Sequence, residues 1–194
     1  MNLKDYVIRD IQDKFQYLPV AVYFALVCIG TYICVWLIYY LFNIHKMSRR
    51  DNRRKKIIYR IWHMIFCGVM VAYMYMLLMI VYYSRESGSR SGMPDMVLWN
   101  TWGSTLQMHA YFIENIILFI PFGLLFPLVF RKWLRWLTVP VGFIVSVGIE
   151  YTQLVTGRGY CQIDDVVTNT VGAAIGFFVF LIGYIGWLIW KKVR

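Results

Sequence analysis

The chain has 194 residues, of which 60% are hydrophobic, 19% aromatic and only 15% charged. A water-soluble domain carries about 25% charged and 45–50% apolar residues, so these proportions exclude an ordinary soluble fold and require lipid as part of the solvent. A formal charge of +10 would suggest nucleic acid as the partner of a polar protein, but in a membrane chain it first sets sidedness, and nucleic acid is set aside.

In residues 1–17, Leu3, Val7, Ile11 and Phe15 recur every three or four positions, and Leu18 continues the series. This spacing predicts an amphipathic helix lying at the membrane interface. The same stretch lacks the continuous apolar core of a signal peptide. Five segments then reach the roughly 20 apolar residues that a spanning helix needs. They are Leu18–Phe42, Ile57–Tyr83, Phe112–Phe130, Trp136–Val155 and Val166–Trp190. The expected fold is all-α, a polytopic membrane helix bundle with a single transmembrane domain over residues 18–194.

Charge in the connections gives an orientation, because short loops rich in Lys and Arg stay on the cytoplasmic side. Lys46, Arg49, Arg50, Arg53, Arg54, Lys55 and Lys56 fill the first loop, Arg131, Lys132 and Arg135 the third, and Lys191, Lys192 and Arg194 the end. An N-out, C-in protein follows. It puts 14 basic residues and Asp51 inside, and 6 basic and 9 acidic residues outside. Trp and Tyr cluster at the expected span ends, as aromatic belts do.

Cys28, Cys34 and Cys67 fall within spans and read as small apolar residues, whereas Cys161 is an external thiol that could cross-link two copies and so leaves a homo-oligomer open. His45, His63 and His109 are scattered, without metal-ligand spacing, so neither a metal nor a cofactor is expected.

Polar residues inside spans are costly unless satisfied, and therefore mark candidate sites. Ser146, Glu150 and Gln153 are spaced by four and three and share a helix face. Asp165, Asn169, Gly172 and Gly176 share another, and Glu114 and Asn115 precede Pro121, which is expected to kink its helix. All fall in the outer half. Together Asn115, Ser146, Glu150, Gln153, Asp165 and Asn169 predict a polar pocket open to the outer surface, rimmed by the turn Thr156–Asp165. Asp164 or Asp165 can cap the last helix. Arg158 could hold an anionic group or pair with Glu150, and Arg85 and Arg90 are further anion-binding candidates in the outer loop. Gly172 and Gly176 are more simply a packing face.

The runs Glu114–Gly123, Ser146–Gln153 and Asp164–Gly172 resemble three ordered motifs of the VanZ-like family of bacterial membrane proteins, over about residues 57–180. The resemblance implies a multi-pass protein of the bacterial plasma membrane, in a family whose founding member is associated with low-level teicoplanin resistance. The recurrent polar positions of the family match Asn115, Ser146, Glu150, Gln153, Arg158, Asp165 and Asn169. Gln162 stands where similar sequences usually carry an acid.

The leading expectation is a pocket that binds an amphiphile, with membrane lipids, a lipid-linked envelope precursor or a lipoglycopeptide as partners. The alternative is a membrane enzyme acting on a lipid-linked substrate, with Glu150 or Asp165 as general base. Transport through Glu150 ranks last, because the inner halves of the last three spans carry no charged path.

Overall fold

A computed structural model describes residues 2–42, 50–83, 93–103, 105–130 and 132–193, with the side chains of 39–42 and 50–56 outside the description. Among the described residues there are six α-helices: α1 (Leu3–Lys14), α2 (Leu18–Phe42), α3 (Arg50–Leu78), α4 (Leu106–Val129), α5 (Thr138–Thr156) and α6 (Ile163–Val193). Among the described residues five helices are long and apolar enough to cross a membrane, the first of them continuous with α1.

Local chemistry explains the ends. Asn2 caps α1 by accepting from the Asp5 N–H at 2.9 Å. A 3₁₀ turn, Phe15–Tyr17, then leads directly into α2. Thr105 caps α4 by accepting from the Met108 N–H, which starts this helix six residues before the apolar run that predicts it. Gly157 ends α5 in the left-handed region, at φ 62°, where a Cβ would be strained. Beyond Leu78 the chain of α3 continues as a π-helical turn, Met79–Tyr83.

The centre of the bundle is the α4–α6 crossing. A Cβ on Gly172 would lie 2.2 Å from the Ile116 carbonyl oxygen, one on Gly176 2.0 Å from that of Ile120, and one on Gly123 2.0 Å from that of Ala173. Backbone therefore meets backbone, as small residues allow in helix pairs that associate without a hydrophobic driving force. Helix α5 packs on α6, with Gly142 against Ala173; α3 packs on α4, and α2 on α3. Phe119, Phe122, Phe126, Leu77, Val81, Ile149 and Ala173 form the shared core. Large apolar side chains are exposed along α2, as a membrane-spanning helix requires of its outer face.

Helix α4 runs unbroken through Pro121 and Pro127. Proline at 121 removes a helix hydrogen bond, and the adjacent ladder is served from outside: the Tyr73 hydroxyl of α3 donates to the Leu118 carbonyl at 3.0 Å. His63 Nε2 lies 2.9 Å from the Val129 carbonyl, in the last turn of α4, where the helix itself supplies no donor.

Helix α1 docks on α4 through charge. Lys14 Nζ lies 2.6 Å from Asp10 Oδ2 and 2.7 Å from Glu114 Oε2, and Glu114 is only 6% exposed. Val7 is buried at this contact, while Phe15 and Leu18 are exposed, so the apolar stripe read from sequence divides between protein and surroundings.

Candidate functional site

The end of the bundle that carries the α5–α6 turn holds a buried polar cluster. One face of α5 presents Ser146, Glu150 and Gln153, all buried, and α6 presents Asn169 and Thr168, also buried. Asn169 Nδ2 donates to Ser146 Oγ at 2.8 Å, which ties the two helices together. Glu150 Oε2 accepts from the Gln162 backbone N–H at 2.9 Å, which ties α5 to the turn above it. Thr168 satisfies itself by donating to the Asp164 carbonyl of its own helix.

Two acceptors in this cluster have no hydrogen-bond partner among the described residues, Gln153 Oε1 and Asn169 Oδ1. Leaving a buried acceptor unmade costs about 1–3 kcal/mol, so each amide oxygen gains from a donor that reaches it. With the Glu150 carboxylate nearby in the fold, the chemistry on offer is acceptor-rich: it suits hydroxyl, amide N–H or amine groups.

A short parallel pairing holds the rim. Asp95 N–H donates to the Cys161 carbonyl at 2.8 Å, and Ile163 N–H donates to the Asp95 carbonyl at 3.0 Å. The Asp95 side chain accepts from the Val97 N–H and from Asn100 Nδ2, an Asx-type turn that leads into the 3₁₀ turn Asn100–Trp102. Asp164, 2% exposed, accepts from the Trp99 N–H at 2.7 Å, the Thr101 N–H at 2.9 Å and the Thr101 hydroxyl at 2.6 Å. Trp99 has φ 68°, an unfavourable conformation for a bulky residue, and the Asp164 bond at its nitrogen holds it there. The three recorded bonds of Asp164 thus come from the loop before α4, whereas the sequence suggests a helix cap.

Arg158 Nη1 donates to the Tyr82 carbonyl at 3.3 Å, and the guanidinium lies 6.0 Å from the Tyr83 ring centroid. Tyr82 in turn bonds its hydroxyl to Thr152 of α5. The arginine staples the turn to the π-helical end of α3, and π-helical turns are frequent at functional sites. Asp165 is half-buried at the start of α6, and with Glu150 it keeps the half-buried Cys161 thiol above its ordinary pKa, burial being the largest cause.

The structure thus brings Ser146, Glu150, Gln153 and Asn169 to one end of α5 and α6, with Asp164, Asp165 and Arg158 in the rim. Asn115 is half-buried beside Glu114, and among the described residues no hydrogen bond joins it to the cluster. Arg85 and Arg90 lie outside the described residues. Among those residues no group of three His, Cys, Asp or Glu side chains converges as a metal ion would require. Sequence reasoning missed Lys14, Tyr73 and Thr101. Their partners are 100, 45 and 63 positions away. Only the isolated charge of Glu114 inside a span signals that one of them is needed.

Five helices of spanning length with a buried polar cluster at one end define a polytopic helical membrane protein. The VanZ/LLP1 family profile matches residues 29–187, and the chain belongs to that family. Among curated proteins it is similar to Protein VanZ of Enterococcus faecium, 36% identical over 72 residues, which is 33% of this chain and 40% of that protein. The similarity spans less than half the length of that relative. No solved structure matches the chain.

Proposed function

We propose that the buried cluster of Ser146, Glu150, Gln153 and Asn169 is the headgroup site for an amphiphile and that the protein acts in the plasma membrane of a bacterium, N-terminus outward. The observation that carries this reading is the pair of unpartnered amide oxygens, Gln153 Oε1 and Asn169 Oδ1, in a cluster that also holds a carboxylate. A headgroup rich in hydroxyl or amide donors relieves both oxygens, and its apolar chain extends along the lipid-facing side chains of the bundle. Polyhydroxylated envelope lipids and lipoglycopeptides have this composition. A phosphate does not suit the acceptors themselves, although the rim arginine can attend an acidic group.

Orientation rests on the basic loops, which leave the polar cluster on the outer side where such ligands reside. The family resemblance makes teicoplanin, whose acyl tail anchors it at the same depth, the first lipoglycopeptide to examine. Glu150→Gln and Arg158→Ala, expressed at the level of the parent, are expected to remove any teicoplanin phenotype the protein confers. Unchanged susceptibility in both variants would separate the cluster from that phenotype.

A further inference from the structure

The opposite end of α5 carries a second built feature that the cluster does not use. Arg135 sits in the 3₁₀ turn Leu134–Leu137, about 22 Å from Glu150 at 1.5 Å rise per residue. Its guanidinium lies 5.6 Å from the Phe180 ring centroid and 5.5 Å from that of Tyr184, two residues one turn apart on α6. The Thr138 hydroxyl, with Thr138 wholly buried, donates to the Arg135 carbonyl at 2.5 Å and fixes the backbone that presents the side chain. Arg135 Nε is buried without a hydrogen-bond partner, and among the described residues no carboxylate pairs with the guanidinium.

We propose that Arg135, set against the rings of Phe180 and Tyr184, binds the phosphate of an anionic phospholipid in the leaflet at this end. Two rings orient the planar fork and reduce its hydration, so that its remaining donors await a bidentate acceptor. Lys132, exposed three residues before Arg135, adds a second positive charge to the same connection. Trp133 and Trp136 are 66% and 69% exposed, and Trp136 meets Phe177 edge-on at 6.0 Å. Exposed indoles beside a fixed guanidinium are the chemistry of the headgroup level, where one end of a ligand is ionic and the other apolar. A lipid phosphate satisfies the cation, and its acyl chains lie along Trp136 and Phe177. This site is independent of the headgroup site proposed at the other end, and either can fail alone.

The test uses the full chain in nanodiscs of phosphatidylcholine doped with phosphatidylglycerol, followed by native mass spectrometry of the released protein. The parent is expected to retain one phosphatidylglycerol under activation that strips phosphatidylcholine, and Arg135→Gln to weaken that retention about tenfold, the loss of a charge-assisted bond. Lys132→Gln should weaken it less. Equal retention of the two lipids by the parent would overturn the proposal whether or not the variants fold. So would undiminished retention in a folded Arg135→Gln protein, since the basic loop would then account for the preference. Displacement of the lipid by excess inorganic phosphate would also overturn it, by making the site one for free anions.

Discussion

Replacing Gly176 by alanine puts a methyl group where a backbone already stands. The new Cβ would lie 2.0 Å from the Ile120 carbonyl oxygen, 2.9 Å from the Leu124 nitrogen and 3.0 Å from the Gly123 Cα. A carbon–oxygen contact needs about 3.3 Å, so α6 and α4 must separate locally by roughly 1.3 Å. None of the three atoms belongs to a side chain that can rotate away. Overpacking of this kind costs about 1–3 kcal/mol, and here it falls at the closest crossing in the bundle. Gly183 on the same helix has nothing within 4 Å of its Cβ position. Alanine there relieves the helix of a glycine and should be neutral or stabilising by up to about 1 kcal/mol. Titration with SDS in mixed micelles, followed by circular dichroism, should therefore separate the two variants by about 1–4 kcal/mol. Asn169 lies one to two helical turns from Gly172 and Gly176, so the same separation should weaken its bond to Ser146. Equal unfolding of Gly176→Ala and Gly183→Ala proteins would refute the close α4–α6 contact and the site geometry built on it.

Asp164→Ala should release the Trp99–Thr101 turn, because three hydrogen bonds to one carboxylate are lost and Trp99 no longer has a reason to stay at φ 68°. A loss of about 2–4 kcal/mol is expected, with increased quenching of Trp99 and Trp102 by acrylamide in variants that keep only those two tryptophans; unchanged quenching would argue against the clamp. Lys14→Met leaves Glu114 buried without its cation and should destabilise the protein by about 3 kcal/mol, whereas the double variant Lys14→Met, Glu114→Leu should recover most of the loss, as read by the same SDS titration. Additive losses would mean that the pair does not couple. Cys161 lies outside the helices, and burial together with the negative charges of Glu150 and Asp165 raises its pKa. Since the thiolate is the nucleophile, maleimide labelling of Cys161 should need a higher pH than a free thiol of pKa about 8.5, and Glu150→Gln should speed it at fixed pH. Slower labelling in that variant would contradict the placement of the carboxylate.

Helix boundaries were legible wherever hydropathy alone decides them. Leu18–Phe42 is the span read from sequence and the observed α2. Helix α4 begins at Leu106 and not Phe112, because Gln107 and His109 lower the hydropathy of a turn that Thr105 nonetheless caps. Helix α3 reaches back to Arg50 through the basic run, and α6 begins at Ile163, since neither charge nor a pair of aspartates prevents helix formation at an end. Periodicity also placed Ser146, Glu150 and Gln153 on one face and gave Gly172 and Gly176 their packing role. Partners separated by long stretches of chain were illegible, because no local pattern encodes them. Asp164 reads as a cap and serves a distant loop, Arg158 reads as an anion binder and serves the π-helical carbonyl of Tyr82, and Lys14, which no local pattern singles out, pairs with Glu114.

The headgroup site is tested most directly by what the protein retains. Mass spectrometry of molecules that co-purify with the parent chain and with Glu150→Gln should find an amphiphile with a hydroxyl- or amide-rich headgroup in the first and at least tenfold less of it in the second, both proteins being equally folded. The substitution keeps the shape of the side chain and an acceptor for the Gln162 N–H, while it removes the charge and turns one acceptor oxygen into an NH2 donor. The same complement of molecules in both preparations would contradict a ligand site at Glu150.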